Sequence, residues 1–169
     1  MSLRYTEAQA QSLGLLPDGS PRSFSIRVPG IAAPQGSKRH VGHGIMIESS
    51  KRLKPWRAKV TDAAAEAFEG RETIDAPVIL TAIFSFPRPA SHFGTGRNSG
   101  VLKPTAPSYP SGRVGDLSKL IRAVEDSLTD AGVWRDDSRV VLYGAGTGKV
   151  WVATGTGPNT YIRVEALLP

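Results

Sequence analysis

The chain contains no cysteine. Disulfides and thiolate metal sites are therefore excluded, and any bound metal must rest on oxygen or histidine donors. No apolar run approaches the ~20 residues needed to span a bilayer, and the first residues lack the basic-then-apolar layout of a secretory signal. A basic amphipathic helix with an aromatic face, the mark of a membrane-surface protein, is also missing. There is no internal repeat and no Walker-type phosphate loop: GAGTGK lies between strand-like segments with no helix after it. The cytoplasm is the expected compartment.

What is present is ordinary in amount and uneven in placement. The 169 residues are 40% hydrophobic and 21% charged, enough for a single domain with a proper core. The formal charge is +6 and the sequence pI about 9.9. That excess suits a polyanionic partner, because cations that neutralise phosphates release counterions.

Residues 1–21 hold a short helix-capable stretch and then break at Pro17, Gly19 and Pro21; they are expected to form a flexible arm ahead of one domain over 22–169. Ser23 to Val28 alternates, with Phe24, Ile26 and Val28 on one side, and predicts a strand. A loop after Pro29-Gly30 carries Lys38, Arg39, His40 and His43. It reads equally as a phosphate-contacting loop or a solvated one, and the two histidines lack a nearby third ligand for a metal site. Lys51 to Phe68 predicts a helix with Pro55 near its first turn and Gly70 at its end. Its first half is basic, with Lys54 and Arg57 able to flank DNA or simply to face solvent. Trp56 is expected to pack in the core or an interface rather than stack on a base.

Pro77 to Phe86 is a continuous β-branched and aromatic run, as in a central strand. The stretch from Pro87 to Arg113 has little periodicity and much Pro, Gly and Ser; it contains Arg88, His92, Arg97, Lys103 and Arg113 but no acid. It reads as a long loop, mobile by itself, that orders against nucleic acid. Arg139 to Tyr143, Val150 to Ala153 and Thr160 to Leu167 predict strands. The whole is an α+β arrangement, a small mixed β-sheet with two main helices packed on one face.

The chemistry centres on Gly115 to Val141. Leu117, Leu120, Ile121, Val124 and Leu128 recur at helical spacing, with Asp116 at the helix entry and Asp136-Asp137 beyond its end. Phosphodiester hydrolysis by magnesium or manganese needs carboxylates of this kind to hold the ion. If the chain folds back on a sheet, Asp116 can meet Asp136 and Asp137. The plainer readings are a helix cap for Asp116 and ordinary turn residues for the pair. Arg122, about one and a half turns along the helix, steadies a phosphate on the first reading and is a solvated side chain on the second.

The segment resembles the RusA-like family of Holliday junction resolvases. The likeness is carried by Asp116, Lys119-Leu120, Arg122, Asp126-Ser127-Leu128 and Gly132-Val133-Trp134 leading to Asp136-Asp137. It is carried also by PQGSKR at Pro34 to Arg39, KPWR at Lys54 to Arg57 and PRPASH at Pro87 to His92. It runs from about Ser23 to the end. The resemblance implies a homodimeric phage or prophage nuclease of recombination and repair. Such an enzyme binds four-way DNA junctions and uses magnesium, with manganese possible, to nick two opposing strands. It implies metal ligation by Asp116 and Asp137 with Asp136 in support, and it places Arg122 where the family has a catalytic lysine. Lys38, Arg39, Lys54, Arg57, Arg88, Arg113, Lys119 and Lys149 are the expected DNA contacts. Two departures stand out. Ser118 replaces the family's second acid, which makes a junction binder with attenuated or lost cleavage the alternative. Gly115, where proline is usual, is expected to loosen the helix entry.

Overall fold

A computed structural model describes residues 23–36, 38–40, 46–48, 51–112, 114–153 and 155–167. The arm at 1–21, His43 and Arg113 lie outside the described residues. Strand β1 (Ser23–Pro29) pairs antiparallel with β7 (Asn159–Ala166), and β7 pairs antiparallel with β4 (Val78–Phe86). On its other side β4 pairs in parallel with β5 (Val140–Tyr143) and, further along, with β6 (Gly148–Trp151). The result is a mixed five-stranded sheet in the order β1-β7-β4-β5, with β6 also on β4.

Period-two patterning explains the layers. Alternate residues of β1, β4 and β7 are buried, and the register aligns them in rows. Phe24 faces Val164, which faces Leu80; Ile26 faces Ile162, which faces Ala82. Helix α1 (Leu53–Phe68) buries Leu53, Trp56, Val60, Ala64 and Phe68 at three- and four-residue spacing. Helix α2 (Leu117–Asp130) buries Leu120, Ile121, Val124 and Leu128 likewise. Both stripes join the sheet's buried face in one core. Trp56 lies beneath Phe84 at 6.4 Å, which leaves it no role in stacking on a base.

Three expectations are revised. The loop with Lys38 and Arg39 contains a short two-stranded ladder, Lys38–His40 (β2) with Met46–Glu48 (β3). The strand expected at Val150–Ala153 begins earlier and runs Gly148–Trp151, and β5 and β6 succeed each other along the same edge of β4. The long loop after β4 is not structureless. It contains 3-10 turns at Ala90–His92 and Gly96–Asn98 and a bridge between Phe93 and Leu102. Its anchor is Trp151, whose indole nitrogen donates to Pro107 O at 2.9 Å while the Arg88 guanidinium lies 5.2 Å over its ring. Sequence proximity gave no hint of that partner.

Candidate active site

The entry to α2 is set by a glycine. Gly115 has φ +88°, and a Cβ there would sit 2.8 Å from Pro34 Cγ. A side chain is excluded twice, by the left-handed backbone and by the proline ring. The entry is therefore pinned against the Pro34 loop, contrary to the looseness expected of glycine. Asp116 follows as the N-cap, yet its carboxylate makes no capping hydrogen bond. It pairs with Lys119 Nζ at 2.8 Å and is 67% exposed. Lys119, with a smaller contribution from Lys149, holds the Asp116 carboxyl below its ordinary value. Lys149 itself donates to Gly115 O at 2.9 Å. Ser118 is exposed on the first turn.

Further along α2 the loop from β1 and helix α1 converge on two acids. The Gln35 main-chain N–H donates to Lys119 O at 3.0 Å, and its amide nitrogen donates to Asp126. Arg57 of α1 reaches Asp126 at 3.5 Å and Asp130 at 2.5 Å, and donates to Gln35 Oε1 at 3.4 Å. One guanidinium thus fastens α1, the Gln35 loop and α2 together, as its planar fork allows. Arg57, expected to contact DNA, is occupied in this conformation by carboxylates of its own chain.

The acidic pair reaches its place through the helix end. Gly132 has φ +75°; its N–H bonds Thr129 O, and that of Val133 bonds Leu128 O, a Schellman ending that reverses the chain. Trp134 is buried and donates from Nε1 to Thr129 Oγ1 at 2.8 Å. The following residues therefore run back beside α2. Asp136 accepts from Ser138 N at 2.8 Å, and this bonding lowers its carboxyl below the ordinary value. Asp136 is in part the turn residue its position suggested. Asp137, exposed, starts the 3-10 turn Asp137–Arg139.

One more acid and a tyrosine complete the neighbourhood. Glu125 is buried and accepts a hydrogen bond from Tyr143 Oη at 2.9 Å. Burial pushes the Glu125 carboxyl up; the Tyr143 bond opposes this, while the charges of Asp137 and Asp126 add to it. Burial and Glu125 in turn raise the Tyr143 hydroxyl to about 12, so it remains a donor at neutral pH. Glu125 had no sequence signal beyond helical spacing from Arg122, and Tyr143 had none. The signal for Gln35 was the PQG motif.

Two cavities sit on this surface. The larger, about 560 Å³, lies between α1 and α2 and is lined by Gln35, Lys54, Arg57, Asp62, Arg122 and Asp130 among others. The smaller, about 270 Å³, is lined by Arg57, Asp126, Thr129, Asp130, Asp136 and Asp137. They share Arg57 and Asp130, whose ion pair stands at the boundary between a groove bearing Lys54 and Arg122 and one bearing acids. Asp116 belongs to neither. Among the described residues no three Asp, Glu or His side chains are grouped to hold a metal ion. The donors are chemically right for magnesium, but Asp116, Asp136 and Asp137 are not gathered into one three-ligand group among the described residues.

Of the expected DNA contacts, Lys54 is exposed beside the larger cavity. Lys119 and Lys149 cluster at the α2 entry, and Arg88 lies on Trp151. Lys38 and Arg39 lie on β2. No helix among the described residues is long and apolar enough to cross a membrane. No curated protein matches the chain. A family model described as Endodeoxyribonuclease RusA matches residues 28–165.

Proposed function

Because the chain belongs to the RusA family of endodeoxyribonucleases, we propose that it resolves four-way DNA junctions by paired nicking of opposing strands in recombination and repair. The supporting observation is that the two cavities adjoin, with Arg57 and Asp130 in the lining of both. Lys54 and Arg122 line a groove suited to a phosphate backbone, and across the Arg57–Asp130 ion pair lies the second cavity, lined by Asp136 and Asp137. A strand lying there brings its phosphates to the acids, with Arg122 stabilising charge on the phosphate oxygens. Asp137 is assigned as the principal acid because Asp136 is engaged by the Ser138 N–H, and Asp116 as the acid at the helix entry.

Magnesium, with manganese as its substitute, is the proposed cation and would supply an activated water and charge stabilisation. Among the described residues the carboxylates do not gather three donors, so what the chain itself provides is strand positioning, phosphate neutralisation and separate acids. A homodimer is proposed because two related nicks call for two sites related by symmetry. The setting is the cytoplasm of a bacterial or phage-infected cell.

A synthetic four-way junction with and without magnesium or manganese tests this. Paired nicking is expected, with Asp137→Asn reducing the rate at least a hundredfold at unchanged junction affinity. Tight binding without cleavage in either metal would defeat the nuclease assignment and leave the second reading, a junction binder with attenuated catalysis. That reading is favoured by the exposed hydroxyl of Ser118 where an acid is expected. Ser118→Asp is then expected to switch cleavage on, helped by the helix N-terminus and by Arg122 one turn later. An unchanged rate would show that position 118 does not serve the reaction.

A further inference from the structure

The loop between β4 and α2 is held in one shape by groups it does not share with the acids. Arg88 donates to Pro107 O at 3.0 Å and covers Trp151, and the His92 ring meets the Trp151 ring edge-on at 5.1 Å. Lys103 donates from its main chain to His92 O and from Nζ to Ser91 O, both at 2.9 Å. Phe93 and Leu102 form a β-bridge. Inside the turn they close, a Cβ on Gly94 would lie 2.6 Å from Asn98 O, so the tight packing itself demands glycine.

This preformed turn leaves two apolar side chains exposed. Val101 is 59% and Leu102 43% exposed, next to the exposed Arg97. No Asp or Glu occurs between Asp75 and Asp116, so the surface is charge-complementary to a polyanion. Its anchor Trp151 follows Lys149 by two residues on β6, on the same side of the strand, and Lys149 bonds the α2 entry. The turn is thus rooted beside Asp116. An ordinary duplex buries its base faces, whereas a branch point leaves some of them unstacked and open to apolar side chains, as when wedges enter a base step.

We propose that the turn Phe93–Leu102 is a branch-reading element, with Arg97 on a backbone phosphate and Val101 and Leu102 against unstacked bases at the crossover. This rests on the junction-nuclease reading and names the part of the chain that distinguishes a junction from a duplex.

The test is binding of the full chain to a four-way junction and to a duplex of matched sequence and salt, without divalent cation. The double substitution Val101→Ser with Leu102→Ser is expected to lower the junction-to-duplex affinity ratio at least tenfold, with duplex affinity within twofold of the original. Val101→Thr, near-isosteric at a position 59% exposed, is expected to lower it about threefold. Arg97→Ala is expected to weaken both complexes equally and to reduce the salt slope by about one. A ratio preserved in both Val101 variants overturns the proposal while leaving the nuclease reading intact. A starting protein with a ratio near one removes both. Loss of preference accompanied by a halving of the protein's mass in sedimentation overturns it by reassigning the pair to a contact between copies.

Discussion

Arg57 was expected to touch DNA, and the structure gives it three partners inside the chain, so its removal separates the two roles. Arg57→Ala cuts the reach to Asp126 at 3.5 Å and the bond to Gln35 at 3.4 Å. Both contacts are long and half-buried, and each is worth about 0.5 kcal/mol. The 2.5 Å pair with Asp130 is closer, but Asp130 is 56% exposed, and solvent screening holds it to roughly 0.5–1 kcal/mol. The lost packing of the aliphatic stem adds about 0.5 kcal/mol. Folding is expected to weaken by about 2 kcal/mol, a fall in melting temperature of roughly 4–8 °C for a chain of this size. Arg57→Lys keeps the charge but not the fork and should lie about midway. A double-mutant cycle with Asp130→Ala is expected to give a coupling of about 0.5–1 kcal/mol. Thermal unfolding followed by circular dichroism gives the first quantity, and junction binding by the same variants gives the second. A melting temperature unchanged within about 1 °C, together with a tenfold loss of junction affinity, would refute the clamp and return Arg57 to the DNA.

Gly115→Ala places a methyl against Pro34 in a left-handed backbone. It is expected to cost about 2–3 kcal/mol, read as a fall of roughly 5–10 °C in melting temperature with slower cleavage because Asp116 shifts. Glu125→Gln tests burial of charge. The Glu125 carboxyl titrates above 4.5 in the folded chain, so between the unfolded and folded values the folded state holds the extra proton and stability falls as pH rises. Glutamine keeps an acceptor for Tyr143 and removes that penalty. The variant should melt higher than the original near pH 7, and the advantage should vanish at about pH 4.

Local physics made much of this protein legible in advance. The alternation Phe24, Ile26, Val28 needs only a pleated strand with one dry face, and the spacing of Leu120, Ile121, Val124 and Leu128 only a helix with one. Both signals are complete within a few residues, as is the placement of Asp116 before α2 and Asp136-Asp137 after it. The α+β class with two helices on one face followed from the succession of those elements; the sheet order β1-β7-β4-β5 did not, because the last strand inserts between the first and the fourth. Partnership did not, because it is settled between residues far apart in the chain. Gln35 and Asp126 are separated by 91 positions, Arg57 and Asp130 by 73, and nothing local links Arg88 to a tryptophan on β6. Tertiary structure alone therefore decided which acids are spent and which are exposed. Asp126 and Asp130 are neutralised by Arg57, and Glu125 is buried under Tyr143. The sequence by itself determined that carboxylates would flank an amphipathic helix; the fold decided that Asp137 would line a cavity to which Asp116 does not belong, because the helix ending at Gly132 turns the acidic pair back beside Asp126 and Asp130.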